Sequence, residues 1–300
     1  MNILITGGAG FIGSHLVDKL SQNENHLAVL DNLHRGKMSN IEKHINNKRI
    51  AFHKADIRYY DDIRDLFSGV DVVYHLAAQS NVLGAVSDLD YSFETNVIGT
   101  YNVLKASLDA GVKRVVFSSS REAYGEAQYL PVDEEHPLNS KNAYGAGKAA
   151  GEIYCRVFRN MGLMDVVIFR LSNVYGARDF GRVIPIFIQN AKQNRNFKIY
   201  GKDKIIDFVS VEIVVDVFIK AMTHAEITKE TAVNIGSGRG TTLIELGERI
   251  IRMTNSQSKL EYKQTNKAEV NKFIAKIERL KKLFNYKPPR DPLYFLREMI

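Results

Sequence analysis

Apolar residues along the first 175 positions gather into short runs separated by longer stretches of mixed character. The runs are "NILIT" (2–6), "LAVLD" (27–31), "IAFHKA" (50–55), "VDVVYHLA" (70–77), "VKRVVFSS" (112–119) and "DVVIFRLS" (165–172). Each is rich in Val and Ile and mostly apolar at successive positions, so both of its faces are expected to be covered. Strands of a parallel sheet buried between helices have this pattern. Between the runs lie helical patterns at 11–21, 60–68, about 90–110 and 144–161. Strands alternating with helices predict βαβ units and an α/β fold, a Rossmann-type doubly wound parallel sheet.

After about Val174 the pattern loosens. Helices are expected at 183–195, 212–224, 242–253 and 275–284, and short strands at 206–210 and 232–235. No repeat or Pro/Gly-rich linker separates the two parts. The expected organisation is a Rossmann domain over 1–174 and a smaller C-terminal α/β substrate lobe over 175–300, packed on it, with some segments crossing over.

Composition changes this picture little: 45% hydrophobic and 25% charged residues are ordinary for a globular chain. No apolar run is long enough for a spanning helix, so no membrane partner is expected. "MNILITGG" reads as a strand rather than a leader, which implies a cytoplasmic protein. A single cysteine, Cys155, and eight histidines without an H-x-x-x-H spacing give no disulfide framework and no expected metal site. The net charge of +7 is local. Between Lys259 and Asp291, ten Lys/Arg face four Asp/Glu, so this stretch holds six of the seven charges. Without interleaved aromatics or a nucleic-acid motif, the excess suggests a solvated face that attracts a small anion, not a nucleic-acid partner.

Chemistry enters with "TGGAGFIGSHL", where Gly7, Gly10 and Gly13 connect the first strand to the first helix. Glycines there let the backbone approach a pyrophosphate, and the helix N-terminus favours its charge. Asp31 follows 18 residues after Gly13, at the end of the next strand. A carboxylate at that place accepts ribose hydroxyls and repels a 2′-phosphate, which favours NAD as cofactor. Asp56, after the third strand, is a candidate for the adenine edge or a loop cap. "HLAAQS" (75–80) ends the fourth strand with small residues that suit close approach to a ribose, or a packing turn.

Further on, Tyr144 and Lys148 stand four apart at the start of a helix and so share a face. A phenol titrates near 10 and is a poor base near neutrality unless a cation stabilises its anion. Lys148 can do so while holding a ribose hydroxyl. The cluster Ser118–Ser120 ends the fifth strand 24 residues before Tyr144 and can bind the same substrate hydroxyl.

Taken in order, "TGGAGFIGSHL", "LDNL", "ADIR", "HLAAQS", "ETNVIGTYNVLKA", "FSSSREAYG", "YGAGK", "FRLSNVYGARD" and "VNIGSG" resemble the extended short-chain dehydrogenase/reductases, in their nucleotide-sugar epimerase/dehydratase family, over about residues 1–240. The resemblance implies Ser120, Tyr144 and Lys148 as the catalytic set. It implies cofactor contacts from Gly7, Gly10, Phe11, Ile12, Gly13, Asp31, Asn32, Asp56, Ile57, Leu76, Ala77, Ala78, Asn96, Ser118, Tyr144 and Lys148. Asn96 resembles the family's buried asparagine that supports the active-site helix. Substrate contacts are implied for Ser120, Arg121, Asn173, Arg182 and Val183. It implies a nucleotide-sugar substrate, with a UDP-hexose epimerised at carbon 4 as the simplest case, and a homodimer paired through the helices at about 90–110 and 144–161.

Two departures from the family pattern bear on function. Dehydratases carry an acid and a base after the catalytic serine, whereas here the residues are Arg121 and Glu122. Glu122 matches the base and is a further catalytic candidate, for elimination or decarboxylation. Arg121 cannot supply the acid, because its guanidinium stays protonated; it can neutralise Glu122, grip an anion, or brace the loop. The second departure concerns the diphosphate. Ile206 stands before Asp207 where relatives carry Arg, and their "R-x-G-D" reads "TNKAEV", with Lys267 the nearest cation. The favoured expectation is that Lys204 and the basic C-terminal lysines take over.

Overall fold

The computed structural model describes residues 1–80, 82–224, 227, 232–263 and 269–300. Six strands form at the predicted runs, to within one residue beyond their ends: β1 (Asn2–Thr6), β2 (His26–Asp31), β3 (Ile50–Lys54), β4 (Val72–His75), β5 (Arg114–Ser120) and β6 (Asp165–Leu171). Seven short ones follow: β7 (Asn173–Tyr175), β8 (Phe197–Tyr200), β9 (Ile205–Ile206), β10 (Phe208–Ser210), β11 (Val233–Ile235), β12 (Thr241–Thr242) and β13 (Leu260–Lys263). The main sheet has seven strands in the order β11-β6-β5-β4-β1-β2-β3, and every pair in it is parallel. Strand order reverses between β1 and β4, and the crevice beyond their C-terminal ends is where such sheets bind ligands.

The helices are α1 (Phe11–Leu20), α2 (Tyr60–Ile63), α3 (Val82–Ser87), α4 (Leu89–Phe93), α5 (Gly99–Asp109), α6 (Ala143–Asn160), α7 (Val183–Lys192), α8 (Val211–Ala221), α9 (Leu243–Thr254) and α10 (Glu278–Phe284). The expected helix at 60–68 is one α-turn continued by a 3₁₀ turn over Arg64–Phe67. The one expected at about 90–110 is α4 and α5 joined by a π-helical turn, Glu94–Ile98. Polar caps start the later helices: Asn142 for α6, Ser210 for α8, and a Thr242–Glu245 capping box for α9.

Alternation along the strands separates two cores. Ile3, Ile5, Tyr74, Val116 and Phe169 pack with Leu16 and Val17 of α1 and with Val214 and Phe218 of α8. On the other face, Leu4, Val73, Val115 and Phe117 meet Val103 and Leu104 of α5 and Cys155 and Phe158 of α6. A third core joins α7, β8 and α9 through Phe187, Phe197, Ile199 and Leu246. Residues beyond 174 therefore build their own core, and they also supply β11 to the main sheet and α8 to one of its faces. Among the described residues no helix is long and apolar enough to cross a membrane, and no group of three His, Cys, Asp or Glu side chains could hold a metal ion.

Candidate active site

A cavity of about 1260 Å³ opens at the C-terminal ends of the central strands. Its wall carries Gly7, Gly10, Phe11, Ile12, Gly13, Asp31, Asn32, Ile57, Leu76, Ala77, Ala78, Ser118, Ser120, Arg121, Glu122, Tyr144, Lys148, Asn173, Arg182 and Val183. Two expected contacts are off this wall. The Asp56 carboxylate is turned to Arg58, which donates to it from Nε and Nη2, and to Asn32 Nδ2 at 2.9 Å. Asn96, buried in the π-turn, accepts from the Gln79 N–H at 2.9 Å and donates to the Gln79 carbonyl at 3.2 Å. It braces the loop after β4 instead of facing the cavity.

The cofactor end fits a dinucleotide. Gly7 has φ +72°, and a Cβ there would lie 2.7 Å from the Ala77 nitrogen, so only glycine lets the first turn lie against the β4 loop. Asp31 is buried and accepts from the N–H groups of Ala9 (3.1 Å) and Leu33 (2.8 Å). Burial pushes its carboxyl up, against those two bonds. It thus ties the glycine loop to the loop after β2 while lining the cavity.

Beneath this floor, hydrogen-bond bookkeeping fixes the tautomer of His75. Thr100 Oγ1 spends its proton on the Asn96 carbonyl at 2.8 Å, so at 3.0 Å it must accept from His75 Nε2. His75 Nδ1 therefore accepts, at 2.8 Å, from Thr6 Oγ1, which itself accepts from the Ala77 N–H at 3.3 Å. Complete burial and the nearby Lys148 push the imidazole well below its usual range, so it is neutral. This chain of bonds fixes the Ala77 backbone at the cavity wall.

At the reacting end, β5 delivers Ser120 and α6 delivers Tyr144 and Lys148. The cap of α6 explains the placement. Asn142 Oδ1 accepts from the Gly145 N–H at 2.9 Å, and a Cβ on Gly145 would lie 2.2 Å from the Glu122 carbonyl, so the helix can start only this close to the β5 turn with glycine there. Ser120 lies beside the Tyr144 phenol and favours its ionised form. Burial pushes the phenol up, opposed by Ser120 and by the charges of Arg182 and Arg121, with Glu122 adding to the rise. Lys148 is 2% exposed, with Nζ 4.8 Å from the Phe117 ring centre and 6.0 Å from that of Tyr144. Burial pushes its ammonium down to about 8, against the nearby Cys155 and Glu152. The protein alone leaves the phenol protonated; a cationic oxidised nicotinamide beside it would favour the phenolate.

Arg121 and Glu122 pair with each other. Arg121 Nη2 lies 2.8 Å from Glu122 Oε1, and Asn142 Nδ2 donates to Glu122 Oε2 at 2.8 Å. Both carboxylate oxygens are engaged. Nearby, Asn173 Oδ1 and Ser172 Oγ are buried on the cavity wall with no hydrogen-bond partner among the described residues. Such groups call for a polar ligand.

Of the cations expected for a diphosphate, Lys204 lines the cavity, but Glu269 holds its ammonium. Lys267 lies outside the described residues. The sequence reading missed Arg195, Lys198 and Tyr200, which line the far end of the cavity. Their signal was the alternation in "FKIY" (197–200), which predicts a strand with Lys198 and Tyr200 on one face.

A glycine turn facing a Ser-Tyr-Lys set defines an enzyme that moves hydride between a substrate carbon and a nicotinamide dinucleotide. The sequence matches the NAD dependent epimerase/dehydratase family over residues 3–236; the chain belongs to that family, and its cofactor is NAD. It is 39% identical over 296 residues to a Methanocaldococcus jannaschii protein provisionally named UDP-glucose 4-epimerase, covering 96% of this chain and 94% of the relative. The UDP-glucose 4-epimerase of Thermotoga maritima, solved with UDP-glucose, superposes with a TM-score of 0.91 at 33% identity, covering 99% of this chain and 96% of that one. The Thermus thermophilus UDP-glucose 4-epimerase, in complex with NAD, gives 0.90 at 28% identity, covering 99% and 97%.

Proposed function

We propose that this protein interconverts the C4 epimers of a UDP-hexose. The observation that carries the reading is the combination of a Ser120–Tyr144–Lys148 set on the cavity wall with a Glu122 whose two oxygens are already taken. The names of the relatives above support it. The cofactor is held by the residues up to 174 on the cavity wall, and the sugar nucleotide by the remainder together with Ser120 and Arg121.

Tyr144, as phenolate, takes the proton from the sugar's 4-hydroxyl, which Ser120 orients. Lys148 stabilises the phenolate. Bound NAD supplies the hydride acceptor for C4 and the hydride donor for the return. Once the sugar is a 4-ketone, epimerisation asks only that it present its other face, after which Tyr144 returns the proton. Elimination would need a further base, and the ion pair with Arg121 and the hydrogen bond from Asn142 make Glu122 a weaker one.

The test is a panel of UDP-, dTDP-, GDP- and CDP-hexoses, read by mass and by chromatography of isomers. The expected result is a new isomer of a UDP-hexose at unchanged mass. Loss of water or carbon dioxide would instead assign an eliminating or decarboxylating enzyme, and no reaction at all a binding scaffold. Glu122→Gln keeps the side chain's shape and one of the two contacts, since its single carbonyl oxygen can accept from Arg121 or from Asn142 but not both; it is expected to retain turnover within about fivefold. A keto sugar that accumulates in this variant would make Glu122 the base of a second step.

A homodimer goes with this reading. Leu89, Phe93, Tyr101, Ile153, Tyr154 and Val157 on α4, α5 and α6, and Met161 at the end of α6, are each at least 40% exposed, and Tyr101 stacks edge-on against Tyr154 at 5.6 Å. Two helices that present apolar side chains outward can pair with their copies about a twofold axis. Ile153→Arg is expected to halve the mass measured by light scattering.

A further inference from the structure

We propose that Lys198 and Arg195 supply the positive charge that holds the substrate's diphosphate, in place of the arginines this chain lacks. The proposal rests on the sugar-nucleotide reading above and names the groups that anchor that substrate.

A diphosphate brings two negative charges into a cavity wall, and they need cations or N–H donors. The described cations lining the cavity are Arg35, Arg121, Lys148, Arg182, Arg195, Lys198 and Lys204. Most are spent. Arg121 pairs with Glu122, Arg182 with Asp179, and Lys204 with Glu269. Lys148 belongs to the reacting centre. Arg35 is over the Phe180 ring, 5.1 Å from its centre, beside the cofactor's loop. Ile206, where an arginine was expected, is an apolar part of the wall. Among the described residues, Arg195 and Lys198 have no carboxylate within ion-pair distance.

Both are held in place by neighbours rather than left on a loose loop. Along α7, Val183, Ile186, Phe187 and Asn190 face the cavity and lead from the reacting end to this one. The turn that follows is pinned. The Arg195 N–H donates to the Asn190 carbonyl at 2.9 Å. Asn194 Oδ1 accepts from the Gln257 N–H at 2.8 Å, and Asn196 Oδ1 from the Lys259 N–H at 3.0 Å. In β8, Phe197 and Ile199 point into the lobe's core, so Lys198 and Tyr200 must face outward, to the cavity. Glu261 is the cross-strand neighbour of Lys198, but its carboxylate accepts from Asn196 Nδ2 at 2.8 Å. Glu261 keeps its charge but makes no ion pair with Lys198, whose ammonium is a point charge on the cavity wall, two positions along the strand from the Tyr200 ring.

The experiment measures binding of UDP and of uridine by calorimetry, and kcat and KM with the active UDP-hexose, for the full-length protein with bound NAD. Lys198→Gln, Arg195→Gln, the double variant and Lys204→Gln are compared with the wild type, with thermal melts as a check on folding. The expected result is a loss of UDP affinity of about tenfold for Lys198→Gln and more for the double variant. KM should rise in step while kcat and uridine binding stay level. UDP affinity unchanged in the double variant, or lost only in Lys204→Gln, overturns the proposal while leaving the sugar-nucleotide reading intact. A wild type that binds no UDP and no other nucleoside diphosphate overturns both.

Discussion

Tyr144→Phe is expected to lower turnover of the UDP-hexose by about 10²–10⁴-fold, the range usual for losing a positioned acid–base group. In the proposed reaction the phenol takes the 4-hydroxyl proton, with Ser120 as an orienting hydroxyl and Glu122 paired with Arg121 and Asn142. The loss should fall on kcat, because the role proposed for Tyr144 is proton transfer and not anchoring of the diphosphate. Stability should change little. The phenylalanine ring fills the same space, and the hydroxyl's contact in the protein is with Ser120 at the cavity wall. A chromatographic assay under saturating substrate, with a thermal melt and a measurement of bound NAD, checks all three points. Turnover within tenfold of wild type, with folding and cofactor content intact, would remove Tyr144 from the reaction.

Arg170→Met is the substitution expected to cost the most stability. Glu152, one turn after Lys148 on α6, is 0% exposed, and Arg170 on β6 is 3% exposed. Arg170 donates to Glu152 from Nε at 2.9 Å and from Nη2 at 2.7 Å, and Ser119 donates from the third side. Methionine would fill much of the space and leave a buried carboxylate with one hydroxyl partner. Breaking such a pair costs about 3–5 kcal/mol, because the remaining charge is left uncompensated. For a chain of this size that corresponds to a drop of roughly 6–15 °C in melting temperature. Removing the charge as well, in Glu152→Leu/Arg170→Met, should recover most of the loss, since apolar replacement of a whole buried pair is often close to neutral. Recovery will be incomplete. Arg170 Nη1 also donates to the Tyr124 hydroxyl and the Glu134 carbonyl, both at 2.9 Å, and Tyr124 in turn donates to Asn234 of β11 at 2.7 Å. A single variant that melts within 2 °C of wild type would show that water reaches Glu152. A double variant no better than the single would show that the pair's other contacts carry the energy.

That network illustrates how the reading of the sequence and the structure divide the work. The strands of the main sheet were legible because burial between two helical layers demands apolar residues at successive positions, a local property. The glycine turn was legible for a similar reason, since close backbone approach leaves no choice of residue. Tyr144 and Lys148 were legible because four residues on a helix always share a face. Other features depend on segments distant in sequence. Nothing near Val233 says that β11 will lie beside β6. Nothing near Glu122 says that Asn142, 20 positions later, will take one of its oxygens, and nothing near Lys204 says that Glu269 will neutralise it 65 positions on. The same holds for Asp56 and Asn96, whose partners Arg58, Asn32 and Gln79 only the fold reveals. By itself the sequence determined the strands of the sheet, the dinucleotide turn and the shared face of Tyr144 and Lys148, because each follows from the conformation of neighbouring residues. Only the tertiary structure decided which charges are cancelled and which, at Arg195 and Lys198, stay free in the cavity. Pairing depends on which side chains the fold brings within about 4 Å, and no local pattern records that distance.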